Sequence, residues 1–449
     1  MLINLLILLT VTLPLIIPIF PELTYLLLKL IFVVYIALVC LDIYKKHSIS
    51  LFHTWIGGFI YIIWSDMMIC AYSDHSNRYT IPIFFYLIAN GLVILGYNIF
   101  KGRDKFSTTS YNVRNTSTFG LVLFVLIIAY LILQRDLIIQ TLTYGRVLTG
   151  TTSGSNIFSI LISSIGILLP ALIAYYFKYL KKKGIIYSFI FSMPIFAYQF
   201  IIATRFKLLF QVLPFFIITN LINIKNIKFK YLLIAITSIL LFSLLSSYTK
   251  ENRGVGRRDS ISAGEVEYYE ENKDHLYRLA ENMSPEGIIY IMSLMDDYFL
   301  KHNHTYGQET AYIAYVWIPR RIWKDKPIPL DNWLIRKYEN VRDEHSSSSG
   351  FMGTLRSDFG WFSLIFALLI GWILRSCDNY INNFYKNKKT NSIDFIFALN
   401  LFPFFFFFIR SPITATMHLC FLYITFYILR QLCFNKICYA KTPTNKLNC

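Results

Sequence analysis

Charge is scarce in this 449-residue chain: charged side chains make up 15% of it, against 55% hydrophobic and 17% aromatic residues. A water-soluble protein of this length could not hide that apolar fraction in its core, so the composition excludes an ordinary soluble domain. Acidic residues are scarcer still, 26 against 43 Lys and Arg, which leaves a formal charge of +17. The basic residues fall in short clusters between apolar runs rather than along one face, so they read as topology signals and no nucleic-acid partner is expected. The seven cysteines, Cys40, Cys70, Cys377, Cys420, Cys433, Cys438 and Cys449, contain no CxxC pair, which argues against a zinc site or a disulfide framework. Also missing are a basic stretch before the first apolar run, which a cleavable signal would need, and the roughly ten-residue alternating segments of a transmembrane barrel. No internal repeat at a fixed period is evident.

What remains is a series of apolar runs of the length that carries a helix across about 30 Å of hydrocarbon. They cover residues 2–20, 22–43, 51–70, 80–100, 118–134, 156–177, 185–203, 206–222, 230–248, 358–376, 392–409 and 412–430. The expected fold is therefore an all-α polytopic membrane protein of about twelve transmembrane helices. Residues 1–248 would hold the first nine helices, 249–357 a large loop, 358–434 the last three, and 435–449 a tail. One set of alternate loops is rich in positive charge: Lys45-Lys46, Lys101/Arg103/Lys105/Arg114, Lys178 with Lys181 to Lys183, Lys225/Lys228/Lys230 and Lys386/Lys388/Lys389. Because such loops stay in the cytoplasm, both termini are expected there and the 249–357 loop on the extracytoplasmic side.

That loop carries 17 of the 26 acidic residues, four of the eight His and 15 Lys or Arg. Its charge is nearly balanced, so it is not a polybasic tether. A connection this long between packed helices is usually functional or disordered. Ile288, Ile289, Met292 and Met295 recur at near-helical spacing after Ser284-Pro285-Glu286, and Tyr306 to Trp323 is rich in aromatics, so short interfacial helices are expected; only 251–282 and Ser346 to Ser349 look mobile. Pro319 and Lys326-Pro327-Ile328-Pro329 break helices, making Arg320 to Lys326 a constrained turn.

Several residues have the chemistry to hold a phosphorylated lipid. Arg205 in IIATRFKLLF and Arg410 in FFFFFIRSPIT sit between apolar runs that leave almost no turn. Each could snorkel to headgroups, or its planar guanidinium could grip phosphate oxygens in two places. With Arg320, Arg321, Lys324, Lys326 and Arg356 from the loop, they would put several positive charges at one depth, a site for a diphosphate. Arg356 and Asp358 could equally be a local ion pair. Trp317, Trp323 and Trp333 could stack on sugars or anchor the chain in the interface. For acid/base work the loop offers Glu286, Asp296, Asp297, His302, His304, Glu309 and His345, among which Glu309 and His304 stand out for flanking Tyr306-Gly307-Gln308 just before the basic turn. Asp296 and Asp297 are neighbours on a helical pattern and point apart, so no metal is expected.

The plan of many helices with one large loop late in the chain, together with Ile318-Pro319-Arg320-Arg321-Ile322-Trp323-Lys324-Asp325-Lys326-Pro327, resembles the bacterial oligosaccharide repeat-unit polymerases of the Wzy type. Ser357-Asp358-Phe359-Gly360-Trp361 looks like that family's Asn-Phe-Gly segment, with Asp in place of Asn; Arg205 before an apolar span resembles its membrane-edge Arg; and Arg342 to Gly353 has the spacing of a motif found in some members. The resemblance implies a glycosyltransferase in the bacterial cytoplasmic (inner) membrane that polymerises polyprenyl-diphosphate-linked oligosaccharide into O-antigen, capsule or exopolysaccharide. It implies lipid-linked donor and acceptor, no nucleotide sugar or other cofactor at that face, no metal, and a possible chain-length regulator protein as partner. Arg205, Arg320 and Arg410 with Lys326 would hold the diphosphate, Arg321, Arg356 and Trp323 would line the site, and Glu309 or His304 would take the acceptor proton. The absence of a Gly-rich nucleotide loop fits such a donor. Two alternatives stay open: an O-antigen ligase, with the same donor and a lipid A-core acceptor, and a transporter of lipid-linked glycan.

Overall fold

In a computed structural model, residues 2–73, 77–103, 111–144, 157–181, 184–201, 205–221, 224, 275–282, 287–315, 318, 322–339, 348–390 and 392–436 are described. The described residues are overwhelmingly helical. In chain order they form α1 (Leu2–Thr12), α2 (Thr24–Lys46), α3 (Leu51–Phe59), α4 (Ser65–Ser73), α5 (Thr80–Ile99), β1 (Tyr111–Val113), α6 (Thr116–Tyr144), α7 (Ile157–Tyr175), α8 (Gly184–Ile201) and α9 (Arg205–Ile218). There follow α10 (His275–Asn282), α11 (Ile288–Phe299), α12 (Gln308–Tyr315), α13 (Leu330–Glu339), α14 (Gly350–Phe359), α15 (Ser363–Lys386), α16 (Ile393–Leu399), α17 (Leu401–Arg410), α18 (Pro412–Cys433) and β2 (Phe434–Lys436). The two short strands pair antiparallel and tie the start of α6 to the end of α18.

Among the described residues, six helical stretches are long and apolar enough to cross a membrane: Pro21–Lys46, Leu51–Tyr72, Thr80–Ile99, Thr116–Arg135, Gly350–Lys386 and Ile393–Arg410. Leu2–Ile16, Ile165–Tyr179 and Ile185–Ala197 are apolar but shorter. The apolar run at 230–248 lies outside the described residues. The stretch from Gly350 to Lys386 begins eight residues before the run expected at 358–376 and is two helices. Gly360, at φ +56°, ends α14 in a conformation that an L side chain rarely adopts, and α15 starts three residues later.

The bundle centres on α5, which packs along α15 and against α1, while α17 lies on α3. Close approach of α5 and α15 depends on glycine: a Cβ added at Gly371 would stand 2.3 Å from the Val93 carbonyl oxygen, and one at Gly96 would stand 2.4 Å from that of Leu368. Trp55, Phe59, Phe85 and Phe351 are fully buried between these helices. One buried polar chain links three of the helices. Trp55 donates to Asn90 at 2.9 Å, and Asn90 donates to the Tyr35 hydroxyl at 2.8 Å, as buried groups require.

The short helices α11 to α14 come from the long loop expected at 249–357 and its border. The segment with near-helical apolar spacing is α11, whose Ile288, Ile289, Met292 and Met295 are buried. It packs on α4 and α5. Residues 275–282, expected to be mobile, form α10, which rests on α4 through Tyr277 and Tyr72. Between α12 and α13 no helix occurs among the described residues, in keeping with the helix breakers Pro319, Pro327 and Pro329.

Candidate functional site

Each of α11 to α14 begins on a carboxylate supplied by another element. A helix exposes unpaired N–H groups at its first turn, and an anion there is stabilised both by hydrogen bonds and by the aligned peptide dipoles. Asp66 of α4 accepts from Gly287 N at 3.1 Å and Ile289 N at 2.7 Å, at the head of α11. Asp358 of α14 accepts from Glu309 N at 3.0 Å and Thr310 N at 2.7 Å, at the head of α12. Glu309 of α12 accepts from Leu330 N at 3.0 Å, the first residue of α13. Asp331 of α13 accepts from Ser349 N at 3.2 Å, immediately before α14. The last three contacts form a closed cycle: α14 holds α12, α12 holds α13, and α13 holds α14.

The cycle surrounds Glu309 and gives it unusual chemistry. Burial, followed by the negative charges of Asp331 and Asp358, pushes its carboxyl up to about 8, although the Leu330 N–H pulls the other way. A group in that range changes protonation near neutral pH and can take or give a proton there. Burial likewise lifts Asp331 to about 6, against the hydrogen bonds from Ser349 and Asn332.

His304 stands at the other end of the same connection. Its ring packs on Phe299 at 4.5 Å between centroids, and a Cβ on Gly360 would come within 2.7 Å of its Nε2. Its buried Nδ1 has no hydrogen-bond partner among the described residues. Thr305, next to it, donates its hydroxyl to Asp358 at 2.6 Å and its N–H to the Ser357 carbonyl at 2.9 Å, so α14 holds both ends of the His304–Glu309 segment. Within it Tyr306 has φ +49° and Gly307 φ +92°, a left-handed pair that turns the chain sharply and leaves the Tyr306 ring exposed.

The cationic candidates separate. Arg356 does not form the local pair with Asp358 that their closeness in sequence suggested. It bonds Asp296 at 2.7 Å and lies 4.5 Å from the Phe85 centroid and 5.0 Å from that of Trp361. Asp358 is occupied instead by α12 and Thr305, which point at it from the opposite chain segment. Asp296 and Asp297 do diverge: the first meets Arg356, the second meets Arg78 at 3.1 Å. Lys326 is buried and donates to the Ile318 carbonyl at 2.9 Å, closing the turn after α12. Trp323 is partly exposed with its ring 5.3 Å from Tyr315, and Trp333 packs edge-on to Tyr298. Arg410 ends α17, and its carbonyl accepts the Ser348 hydroxyl at 2.6 Å, one residue from the Ser349–Asp331 contact. Arg205 opens α9, with its side chain outside the described residues; Arg320 and Arg321 lie outside them altogether.

The structure thus brings Glu309, His304, Lys326 and the end of α17 carrying Arg410 to one end of the bundle, and turns Arg356 inward. Sequence reasoning missed Asp331 and Asp66. No local pattern marks either, because each acts on a helix start 18 and 221 residues away, respectively. Comparison with family models, with curated proteins and with solved structures finds no match to this chain.

Proposed function

We propose that the protein is a membrane glycosyltransferase that joins polyprenyl-diphosphate-linked oligosaccharide repeat units at the outer face of the bacterial cytoplasmic membrane. On this reading about twelve helices cross the bilayer, both termini are cytoplasmic, and α11 to α14 cover the outer mouth of the bundle. The observation that carries the proposal is Glu309: a half-buried carboxyl lifted to about 8, on the helix just before the basic turn Arg320 to Lys326.

In the reaction, the acceptor hydroxyl oxygen forms a bond to the anomeric carbon of the donor sugar as the bond from that carbon to the diphosphate oxygen breaks. The hydroxyl proton passes to ionised Glu309. Polyprenyl diphosphate leaves with the bonding electron pair, and Arg205, Arg320 and Arg410 balance the charge that grows on it. Lys326 donates to the Ile318 carbonyl, Arg321 and Trp323 would line the donor site, and His304 precedes the Glu309 segment. Arg356 is engaged by Asp296 and is left out of the proposed phosphate contacts. O-antigen, capsule and exopolysaccharide polymerisation would all use this chemistry, with a chain-length regulator as a partner.

The test is genetic and chemical together. Deleting the gene should leave single repeat units on their carrier or core, and complementation with Arg205→Ala, Arg320→Ala or Glu309→Gln at normal protein level should fail to restore polymer. Unchanged polymer length and yield in those variants, or reporter fusions that place residues 249–357 in the cytosol, would overturn the proposal. Loss of all glycan from the core would indicate a ligase, and movement of labelled glycan-lipid without elongation a transporter.

A further inference from the structure

We infer that Asp358 and Asp331 are positioning residues that hold the Glu309 carboxyl in its working place, an inference that rests on the glycosyl-transfer reading above. Asp358 receives four donors: the Thr305 hydroxyl at 2.6 Å, Glu309 N at 3.0 Å, Thr310 N at 2.7 Å and the Thr310 hydroxyl at 2.5 Å. A carboxylate offers about four lone-pair sites, so every one of them is spent on the first turn of α12 and the segment leading into it. Glu309 is the second residue of that turn. Its backbone is therefore held directly, and its side chain accepts from Leu330 N at the head of α13.

Asp331 acts from the other side. It follows Leu330 in sequence, and its carboxylate anchors the head of α13 to Ser349 N at 3.2 Å and to its own neighbour Asn332 N at 2.7 Å. Ser349 is in turn fixed by its carbonyl, which accepts the Tyr86 hydroxyl, while Gly353 N donates to the same hydroxyl at 3.1 Å. Tyr86 belongs to α5, the central helix of the bundle. The Glu309 carboxyl is thus referenced to the membrane-length core through two short hydrogen-bonded paths, one through α14 and Asp358, the other through Tyr86, Ser349 and Asp331. A displacement of a catalytic carboxyl by about 1 Å can cost on the order of a hundredfold in rate, so such bracing is what a proton-transfer residue requires.

The same two carboxylates face Glu309 as charges. Their repulsion favours the protonated form of Glu309 and makes its conjugate base stronger when it ionises. A purely structural pair of caps would hold the helices without any effect on where activity titrates.

The experiment uses the full-length protein in nanodiscs and lipid-linked repeat units extracted from a gene-deletion strain, with elongation rate followed from about pH 5.5 to 9.5, a window bracketing the raised Glu309 carboxyl. Wild type should gain activity with rising pH up to an inflection near 8, where Glu309 ionises. Asp358→Asn and Asp331→Asn, which keep shape and remove charge, should each move that inflection to lower pH and lower the plateau rate with KM little changed. Asp358→Ala should lose on the order of a hundredfold in turnover, and Asp358→Asn should recover part of it. Inflections unmoved in both Asn variants, with Glu309→Gln inactive, would overturn the positioning role and leave the glycosyl-transfer reading standing. Elongation retained by Glu309→Gln would instead remove Glu309 from the reaction and the positioning role with it. Should Asp358→Asn fold poorly, Asp331→Asn carries the same test from the opposite helix.

Discussion

The bundle and the short helices α11 to α14 hold together by different means. Along α5 and α15 the contact is backbone against backbone, set by Gly96 and Gly371, with apolar side chains filling the remainder. In α11 to α14 the joints are carboxylates on helix starts, and removing one leaves N–H groups without acceptors. In lipid there is little hydrophobic gain from bringing helices together, so close packing of small residues takes over; at a wet interface, short helices need their ends satisfied from outside. The bundle borrows the second device too: Asp378 of α15 accepts from Leu51 N at 2.8 Å, the first residue of α3. The contrast teaches that the part assigned to chemistry is the part whose geometry depends on ionisable groups.

The comparison breaks most severely at Gly371. Gly371→Val would drive a side chain into the Val93 carbonyl oxygen and Tyr97 N, neither of which can rotate away. The cost should exceed the roughly 1–3 kcal/mol of ordinary overpacking, and full-length protein should fail to accumulate in membranes. Gly57, where an added Cβ would meet nothing within 4 Å, provides the control: Gly57→Ala should accumulate normally.

Next comes Arg356→Ala, which strands Asp296 beneath α14. Losing one partner of a buried ion pair costs about 3–5 kcal/mol. Burial already raises Asp296 to about 6, and without the guanidinium, which pulls it down, it would rise further. Below that value the orphaned carboxyl takes a proton and the penalty shrinks. Thermal unfolding of the variant should therefore lie far below wild type at pH 8 and approach it near pH 5. A gap independent of pH would show that Arg356 acts through its stacking on Phe85 and Trp361 instead.

Asp66→Ala removes the carboxylate at the head of α11. One buried and one partly buried N–H group lose their acceptor, at a cost of about 1–2 kcal/mol. Hydrogen exchange should speed up at Ile289 to Met295 and stay unchanged along α5 and α15, which sharpens the distinction between the two regions.

How far these regions were legible in the sequence follows from the same difference. Apolar runs announce membrane-length helices because each residue reports its own preference, and Pro21–Lys46, Leu51–Tyr72, Thr80–Ile99 and Thr116–Arg135 stand where the runs placed them. The spacing of Ile288, Ile289, Met292 and Met295 disclosed α11 for the same reason. Glu309 was legible only as a carboxyl near a basic turn. Its environment depends on Asp331 and Asp358, 22 and 49 residues further on, and no local pattern encodes such a meeting. Arg356 shows the limit most plainly: two residues from Asp358 in sequence, it pairs with Asp296 because helix geometry sends neighbouring positions to different faces.

A smaller effect concerns pH and the cycle itself. Glu309 moves from an ordinary 4.5 to about 8 in the folded chain, and Asp331 from 3.8 to about 6. Both are raised, so the folded form holds protons that the unfolded form releases. Their contribution to stability is complete below pH 4, and is lost as pH climbs through 6 for Asp331 and through 8 for Glu309. Amide exchange in α12 and α13 should accelerate several-fold between pH 5.5 and 8.5 beyond the intrinsic base catalysis of exchange, with α5 showing only the intrinsic change. Glu309→Gln, permanently neutral, should remove the portion above about pH 6.

The least effect is expected where a charge pair spans the two regions at the surface. Arg78, just before α5, meets Asp297 of α11 at 3.1 Å with side chains 39% and 55% exposed. Water and salt screen such a pair, and holding two mobile side chains together offsets most of the attraction, so it contributes at most about 0.5 kcal/mol. Arg78 also lies 5.7 Å from the Tyr290 ring, a contact that Arg78→Lys keeps in part and Arg78→Ala loses. Melting temperatures of Arg78→Ala and Asp297→Ala should fall within a degree or two of wild type and converge with it at high salt. A drop comparable to that of Asp66→Ala would mean that α11 is fastened to the bundle by surface charge as well as by its buried cap, and the division between apolar bundle and carboxylate-jointed helices would have to be redrawn at that edge.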